Sequence, residues 1–157
     1  MRIAILGAGN VGGGLGTAFA RTGHEVVFGV RDPASAKTLA ALAAAPGSRA
    51  RTPADAVEGA EVVVFALRWD AVPDMLEGMP SLDGRIVIDA MNRFGGDPAR
   101  STTQDLADLL PGVRLAKAFN TIGFENFTTA RGRRTPARDV RRRRRPGRED
   151  DRDGARR

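Results

Sequence analysis

A glycine-rich segment close to the amino end constrains the fold more strongly than any other part of the chain. Residues 7–12 (GAGNVG) match the pattern G-x-G-x-x-G, and they separate a short apolar run at 3–6 from a segment with helical apolar spacing. A strand, this pattern and a helix, in that order, are the context in which the pattern binds the pyrophosphate of a dinucleotide. A glycine-rich turn without a ligand is the alternative interpretation. The candidate binding residues are Gly7, Ala8, Gly9, Asn10, Val11 and Gly12.

Short apolar runs then alternate with helical segments as far as residue 119. The runs are almost uninterrupted, which is typical of strands buried on both faces of a parallel sheet. Because crossover connections are right-handed, we expect an α/β fold of the Rossmann type: a doubly wound, mainly parallel sheet with helices on both faces. The predicted strands cover 2–6, 25–30, 49–51, 61–67, 85–90 and 113–119, and predicted helices begin after the glycines, after Ser35, at 53, at 70 and at Ser101 or Thr102.

The end of the second predicted strand indicates which dinucleotide binds. In NAD-binding versions an acidic side chain at this point accepts hydrogen bonds from the ribose 2′-hydroxyl, whereas this strand ends at Val30 with Arg31 next. A guanidinium group suits a 2′-phosphate, and the apolar Val30 removes the repulsion that a carboxylate would impose. NADP(H) is therefore the predicted cofactor. Ser35 could add a contact to the phosphate, and Lys37 could do the same or lie on a solvated helix face.

The residue types that are missing exclude several kinds of site. The chain has no Cys and a single His, His24, so it lacks the side chains for a Cys/His zinc site, a disulfide framework or a triad with a second histidine. We predict no metal site and nominate no catalytic side chain, which leaves chemistry carried by a bound cofactor. Neither a membrane-spanning apolar run nor a secretory signal is recognisable, so we expect a cytoplasmic location.

Three further candidates follow predicted strands, because ligands of a doubly wound sheet lie beyond the carboxyl ends of its strands. Trp69 comes after the fourth strand and could line the nicotinamide or a flat substrate, or could be a packing residue. Asn92 and Asn120 come after the fifth and sixth strands. Their amides could hold a carboxamide or a carbonyl, or could form turns. Asp89 lies within a predicted strand, which favours a structural role.

With these residues placed, the chain resembles the NADPH-dependent reductases of coenzyme F-420, an 8-hydroxy-5-deazaflavin. The resemblance is carried by 1–12 (MRIAILGAGNVG), 23–31 (GHEVVFGVR), 61–70 (EVVVFALRWD) and 117–123 (KAFNTIG), of which the last is the most diagnostic. It implies direct hydride transfer between nicotinamide C4 and deazaflavin C5, with the protein supplying alignment and excluding water. The acceptor would be coenzyme F-420 or a similar small molecule. The alternatives are a reductase of another small substrate and a truncated, non-catalytic NADP(H)-binding module.

The resemblance also implies contacts at individual positions. It adds Leu67, Ala71 and Ala118 to the residues that would contact NADP, beside the glycine loop, Val30 and Arg31. It implies that the deazaflavin pocket is bordered by Asn120, Thr121 and Ile122. Two positions depart from the family pattern, because Arg68 and Arg93 stand where family members tend to have Pro.

Positive charge is concentrated at the end of the chain. Residues 1–130 carry 12 Lys+Arg and 14 Asp+Glu, a net charge of −2, whereas residues 131–157 carry 13 Arg and 5 Asp+Glu, a net charge of +8. We expect 1–130 to form the NADP-binding domain and 131–157 to be a disordered Arg-rich tail. A nucleic-acid arm is one interpretation, but the tail has no interleaved aromatic residues. The preferred one is a shifted reading frame, because family chains continue with residues that help to close the pocket and form a homodimer.

Overall fold

Six short parallel strands form one sheet in the order β3-β2-β1-β4-β5-β6. The computed structural model describes residues 1–93 and 99–127. The strands are β1 (Arg2–Leu6), β2 (Glu25–Gly29), β3 (Arg49–Arg51), β4 (Val62–Phe65), β5 (Ile86–Asp89) and β6 (Arg114–Lys117). The helices are α1 (Asn10–Arg21), α2 (Ala36–Ala44), α3 (Pro53–Val57), α4 (Val72–Leu76) and α5 (Thr102–Leu109), with single 3₁₀ turns at Trp69–Ala71 and Phe124–Asn126.

Alternate residues of each central strand point to opposite faces, and each face is covered by helices. In β1, Ala4 and Leu6 join a buried cluster that includes residues of α3, α4 and α5, whereas Ile3 and Ile5 join a second cluster with residues of α1 and α2. Burial on both faces explains why the central strands are largely apolar, whereas the edge strands β3 and β6 carry exposed Arg and Lys residues. The predicted doubly wound α/β fold is therefore confirmed.

The helix starts follow local sequence signals. Ser35 caps α2 by accepting a hydrogen bond from the Thr38 amide, and Ser101 forms a capping box with Gln104 at the start of α5. The helix predicted to begin at 70 is instead a 3₁₀ turn followed by α4, because Pro73 lies in the first turn of α4 and lacks an amide hydrogen. The predicted strand over 61–67 is shorter than expected, ending at Phe65.

The predicted Arg-rich tail, 131–157, lies outside the described residues. Within the part of the chain that the structure describes, no helix combines the length and the apolar character needed to cross a bilayer. The same residues contain no group of three His, Asp or Glu side chains that could hold a metal ion.

Candidate functional site

A large cleft opens at the carboxyl edge of the sheet, where the strand order reverses between β1 and β4. Its volume is about 1220 Å³. This switch point is where doubly wound sheets bind their ligands. The lining is formed by the loops after β1, β2, β4 and β5 and includes Gly7, Ala8, Gly9, Asn10, Val11, Val30, Arg31, Ser35, Leu67, Trp69, Ala71 and Asn92. Twelve of the residues nominated from the sequence therefore lie around one cavity, while their role as ligand contacts remains a prediction.

The glycine loop presents bare backbone to this cleft. Gly9 is the N-cap of α1, and its carbonyl accepts the first helical hydrogen bond from the Gly13 amide at 2.7 Å. No side chain caps this helix, so the amides of Asn10 and Val11 have no partner inside it. These free amides and the positive end of the helix dipole make an anion site.

Gly9 and Gly12 have opposite surroundings within the loop. A Cβ on Gly12 would collide with the carbonyl oxygen of Gly7, so this glycine lets α1 pack closely against the β1 end. Gly12 accordingly supports the loop and does not itself line the cleft. A Cβ on Gly9 would meet nothing within 4 Å, so the protein itself places no steric demand for glycine there. Space above the Gly9 backbone is what the close approach of a pyrophosphate requires.

Positive side chains lie beside the apolar Val30 at the β2 end of the cleft. Val30 is buried, whereas Arg31 and Lys37 are exposed. Nη1 of Arg31 lies 3.5 Å from Oδ2 of Asp74, and both side chains keep 67% of their surface exposed. Lys37 forms no ion pair with any described residue. Two cations thus remain accessible to an anionic group at this end.

The Ser35 hydroxyl already has partners within its own turn. Its Oγ lies 2.8 Å from Oγ1 of Thr38 and accepts the Thr38 amide at 3.3 Å. Asp32 is held similarly, since its Oδ1 accepts the Ala34 amide at 2.9 Å. These bonds give the segment after β2 a defined shape, and a bond from Ser35 to a phosphate would have to be shared with the helix cap.

Trp69 and Arg93 form the wall beyond β4 and β5. The Arg93 guanidinium lies 4.8 Å from the centroid of the Trp69 ring, a cation–π contact. Arg93 also donates a hydrogen bond to Asp105. Burial alone would raise the pKa of Asp105, but hydrogen bonds and charge from Arg100 and Arg93 outweigh it, so the pKa lies below its usual value. Sequence reasoning did not nominate Arg93, although its position after a strand end was a usable signal.

Arg68 is neutralised at the rim of the cleft. Its Nε donates to Oδ1 of Asp70 at 3.0 Å, and Nη2 donates to the other carboxylate oxygen. The hydrogen bond from Arg68 holds the pKa of Asp70 below its usual value. This forked ion pair links the residues on either side of Trp69 in the sequence, and both of its side chains are largely exposed.

A buried polar cluster anchors the segment after β5. Asp89 is fully buried, and its Oδ2 accepts hydrogen bonds from Lys117 Nζ at 2.9 Å, Thr102 Oγ1 at 2.6 Å and Thr103 Oγ1 at 2.7 Å. The backbone of Met91 is held at both ends, since its amide donates to Oδ1 of Asp89 and its carbonyl accepts from Lys117. The expected structural role of Asp89 agrees with these contacts. Lys117 was missed, and its signal was a charged residue at the end of an apolar strand.

The segment after β6 lies beside the cleft rather than in its wall. Ala118 and Asn120 are partly buried, Thr121 and Ile122 are exposed, and none of the four lines the cavity. Nδ2 of Asn92 donates to the Asn120 carbonyl at 3.0 Å, so the two nominated asparagines join the loops after β5 and β6. Asn92 therefore acts in the described structure as a tie between loops.

The family model for coenzyme F420-dependent NADP oxidoreductases matches residues 2–93. The chain belongs to this family. It is 30% identical over 145 residues to the F420-dependent NADP reductase of Methanothermobacter marburgensis, covering 78% of this chain and 64% of that protein. The resemblance seen in the sequence is thus confirmed.

Solved structures of related oxidoreductases share the fold. A candidate F420-dependent NADP-reductase from Arthrobacter sp. FB24 superposes with a TM-score of 0.71 at 27% identity, over 80% of this chain and 65% of that one. A reductive aminase from Aspergillus terreus, solved with NADPH and ethyl-5-oxohexanoate, gives a TM-score of 0.58 at 26% identity, over 74% and 39% of the two chains. The chain thus spans just under two thirds of the F420-dependent relatives it matches.

Proposed function

We propose that this chain binds NADP(H) in the cleft and transfers hydride between the nicotinamide and a deazaflavin such as coenzyme F-420. One observation carries the proposal: a single cavity contains both an uncapped helix N-terminus and, after β2, two exposed cations beside an apolar Val30. The first suits a pyrophosphate and the second a 2′-phosphate. Family membership supports the same cofactor and acceptor.

The proposed contacts follow the strand ends around the cleft. The glycine loop would hold the pyrophosphate through backbone amides, and Arg31, with Lys37 and Ser35, would bind the 2′-phosphate. Val30, Leu67, Ala71 and Asn92, which line the cleft, would contribute further cofactor contacts, and Ala118, which lies beside it, would contact the part of the cofactor nearest β6. The acceptor would lie against Trp69, Asn120, Thr121 and Ile122.

Bound NADPH would supply the hydride at nicotinamide C4, so the protein would act by alignment and exclusion of water. The wall proposed to lie beside the nicotinamide includes Leu67 and the buried Met91. The Trp69–Arg93 stack and the Asn92–Asn120 hydrogen bond hold the two sides of this end in place. Rigid walls of this kind reduce the entropy lost when donor and acceptor carbons are brought together.

We propose that residues 1–130 form the NADP-binding unit and that 131–157 contribute nothing to it. A second candidate is a non-catalytic NADP(H)-binding module. It is favoured by the segment after β6, where Ile122 and Phe124 are exposed and do not line the cleft, so the described residues leave the acceptor side open to solvent.

Absorbance measurements on the purified full chain separate the two candidates. Mixing NADPH with the oxidised deazaflavin should cause loss of both chromophores at equal molar rates, because one hydride reduces one deazaflavin. The matched control is NADH at the same concentration, which should react more slowly. Calorimetric binding of NADPH without any absorbance change would support the binding module and contradict the reductase.

A further inference from the structure

Four positively charged side chains line the cleft, and only some of them are committed to carboxylates. Arg68 is forked onto Asp70, and Arg93 is bound to Asp105 and stacked over Trp69. Arg31 differs from these, because its contact with Asp74 is a single one of 3.5 Å, which is longer than a strong charge-assisted hydrogen bond. This loose pair is the one that joins the loop after β2 to helix α4.

The two partners of this pair come from opposite sides of the cleft. Arg31 follows β2, whereas Asp74 lies on α4, which follows β4, and β1 separates the two strands in the sheet. Ala71 and Met75, on either side of Asp74 in sequence, both line the cavity. Asp74 itself does not line the cavity, so the Arg31–Asp74 pair joins the segments on the two sides of the cleft at its edge, beside Arg31.

We propose that Asp74 competes with the 2′-phosphate for Arg31 and thereby sets how strongly the cleft prefers NADP(H). The inference rests on the proposed function, since it assumes that a 2′-phosphate binds at Arg31. The Asp74 carboxylate lies 3.5 Å from the Arg31 guanidinium and attracts it. When a dianionic phosphate binds Arg31, either the attraction between Arg31 and Asp74 is weakened or the carboxylate repels the phosphate, and both effects lower the affinity for the phosphate. The consequence is a lower affinity for the cofactor and faster dissociation, which suits a hydride donor that must leave after each turnover.

The test compares two small probes that differ in the 2′-phosphate alone: adenosine 2′,5′-bisphosphate and 5′-AMP. Their dissociation constants are measured by titration calorimetry on the full chain, so no hydride transfer is needed. An exposed ion pair contributes little free energy, so the expected effect is small. Asp74→Asn should lower the dissociation constant of the bisphosphate about two- to fivefold and leave that of 5′-AMP unchanged. Asp74→Glu keeps the charge and should restore the original affinity.

Two further variants separate a specific contact from a change in overall charge. Glu77→Gln removes the same charge from the C-cap of α4, and Glu77 is exposed and not paired with Arg31. It should change bisphosphate binding less than Asp74→Asn does. In an Arg31→Ala background, Asp74→Asn should no longer change bisphosphate affinity, because the guanidinium through which Asp74 acts is absent.

The possible failures are distinguishable. If the unmodified chain binds both probes equally, the proposed NADP(H) preference is wrong and the inference falls with it. If the bisphosphate is preferred but Asp74→Asn weakens it or changes nothing, the inference alone is overturned. The same tightening with Arg31 absent would also overturn it, since the effect would not then pass through Arg31.

Discussion

Lys117 and Asp89 are directly opposite each other on β6 and β5, and their side chains form an ion pair with Nζ 2.9 Å from Oδ2. Asp89 is fully buried, and 30% of the Lys117 side chain is exposed. Through Met91 the pair fixes the backbone that leaves β5 toward the cleft. A charged pair behind the cleft thus positions the segment that carries Met91, Asn92 and Arg93 into its wall.

Removing the Lys117 charge should destabilise the fold strongly. Lys117→Met leaves the buried Asp89 carboxylate without its counter-ion, and we expect the free energy of unfolding to fall by about 3 kcal/mol. Urea denaturation measures this directly. Lys37→Met removes an exposed lysine and should change stability by less than about 0.5 kcal/mol. An equal loss of unfolding free energy in the two variants would show that the Lys117–Asp89 ion pair does not stabilise the fold.

Alanine at two positions of the glycine loop should have different effects. Gly12→Ala would push a methyl group into the Gly7 carbonyl, so it should lower stability by about 1–3 kcal/mol. Gly9→Ala meets open space and an ordinary backbone conformation, so it should fold normally. It should nonetheless weaken NADPH about tenfold or more, because the methyl group occupies the path of the pyrophosphate. Thermal unfolding combined with binding titrations separates the two, and unchanged NADPH affinity in Gly9→Ala would contradict the proposed loop contact.

Loss of the Arg31 side chain should weaken the binding of NADPH much more than the binding of NADH. Arg31→Ala removes charge-assisted hydrogen bonds to the 2′-phosphate and should weaken NADPH about tenfold or more, with little effect on NADH. Binding titrations with both cofactors check this. Arg49→Ala, an exposed arginine on β3 paired with Glu25, is the matched control. Equal weakening of NADPH and NADH in Arg31→Ala would exclude a 2′-phosphate contact.

The backbone of Phe119 predicts an unusual order of stability. Phe119 has φ +67°, and its ring makes edge contacts with Phe19 at 6.3 Å and Phe127 at 5.9 Å between centroids. Both small substitutions lose these contacts, but Gly adopts a left-handed conformation without strain. We expect Phe119→Gly to be more stable than Phe119→Ala by about 1 kcal/mol in urea denaturation. The reverse order would mean that the segment relaxes to another backbone conformation.

Acid should destabilise the chain through Asp105. Its pKa is lowered in the folded state, so the stabilisation from Arg100 and Arg93 is complete above the ordinary carboxyl pKa of about 4. It is lost as the pH falls through the lower folded value. Asp105→Asn should therefore flatten the acid limb of a plot of unfolding free energy against pH. Glu58→Gln, an exposed carboxylate on α3's C-cap, should keep the original slope.

Local patterns predicted most of the architecture. Apolar runs placed the central strands β1, β2, β4 and β5, and serine caps placed the starts of α2 and α5, because these signals depend on neighbours in sequence. The strand ends were less accurate: β4 ends two residues before the predicted end, at Phe65. Strand ends depend on pairing partners, which one sequence does not display.

The sequence by itself determined the α/β class, the glycine loop and the chemical character of Val30 and Arg31, since each depends on residue type and spacing. Only the tertiary structure decided which distant charges meet. Asp74 reaches Arg31, and Lys117 reaches Asp89, because strand order and register bring separate segments to one edge of the sheet. Electrostatic pairing depends on distance in space, and that distance is set by the packing of the whole sheet.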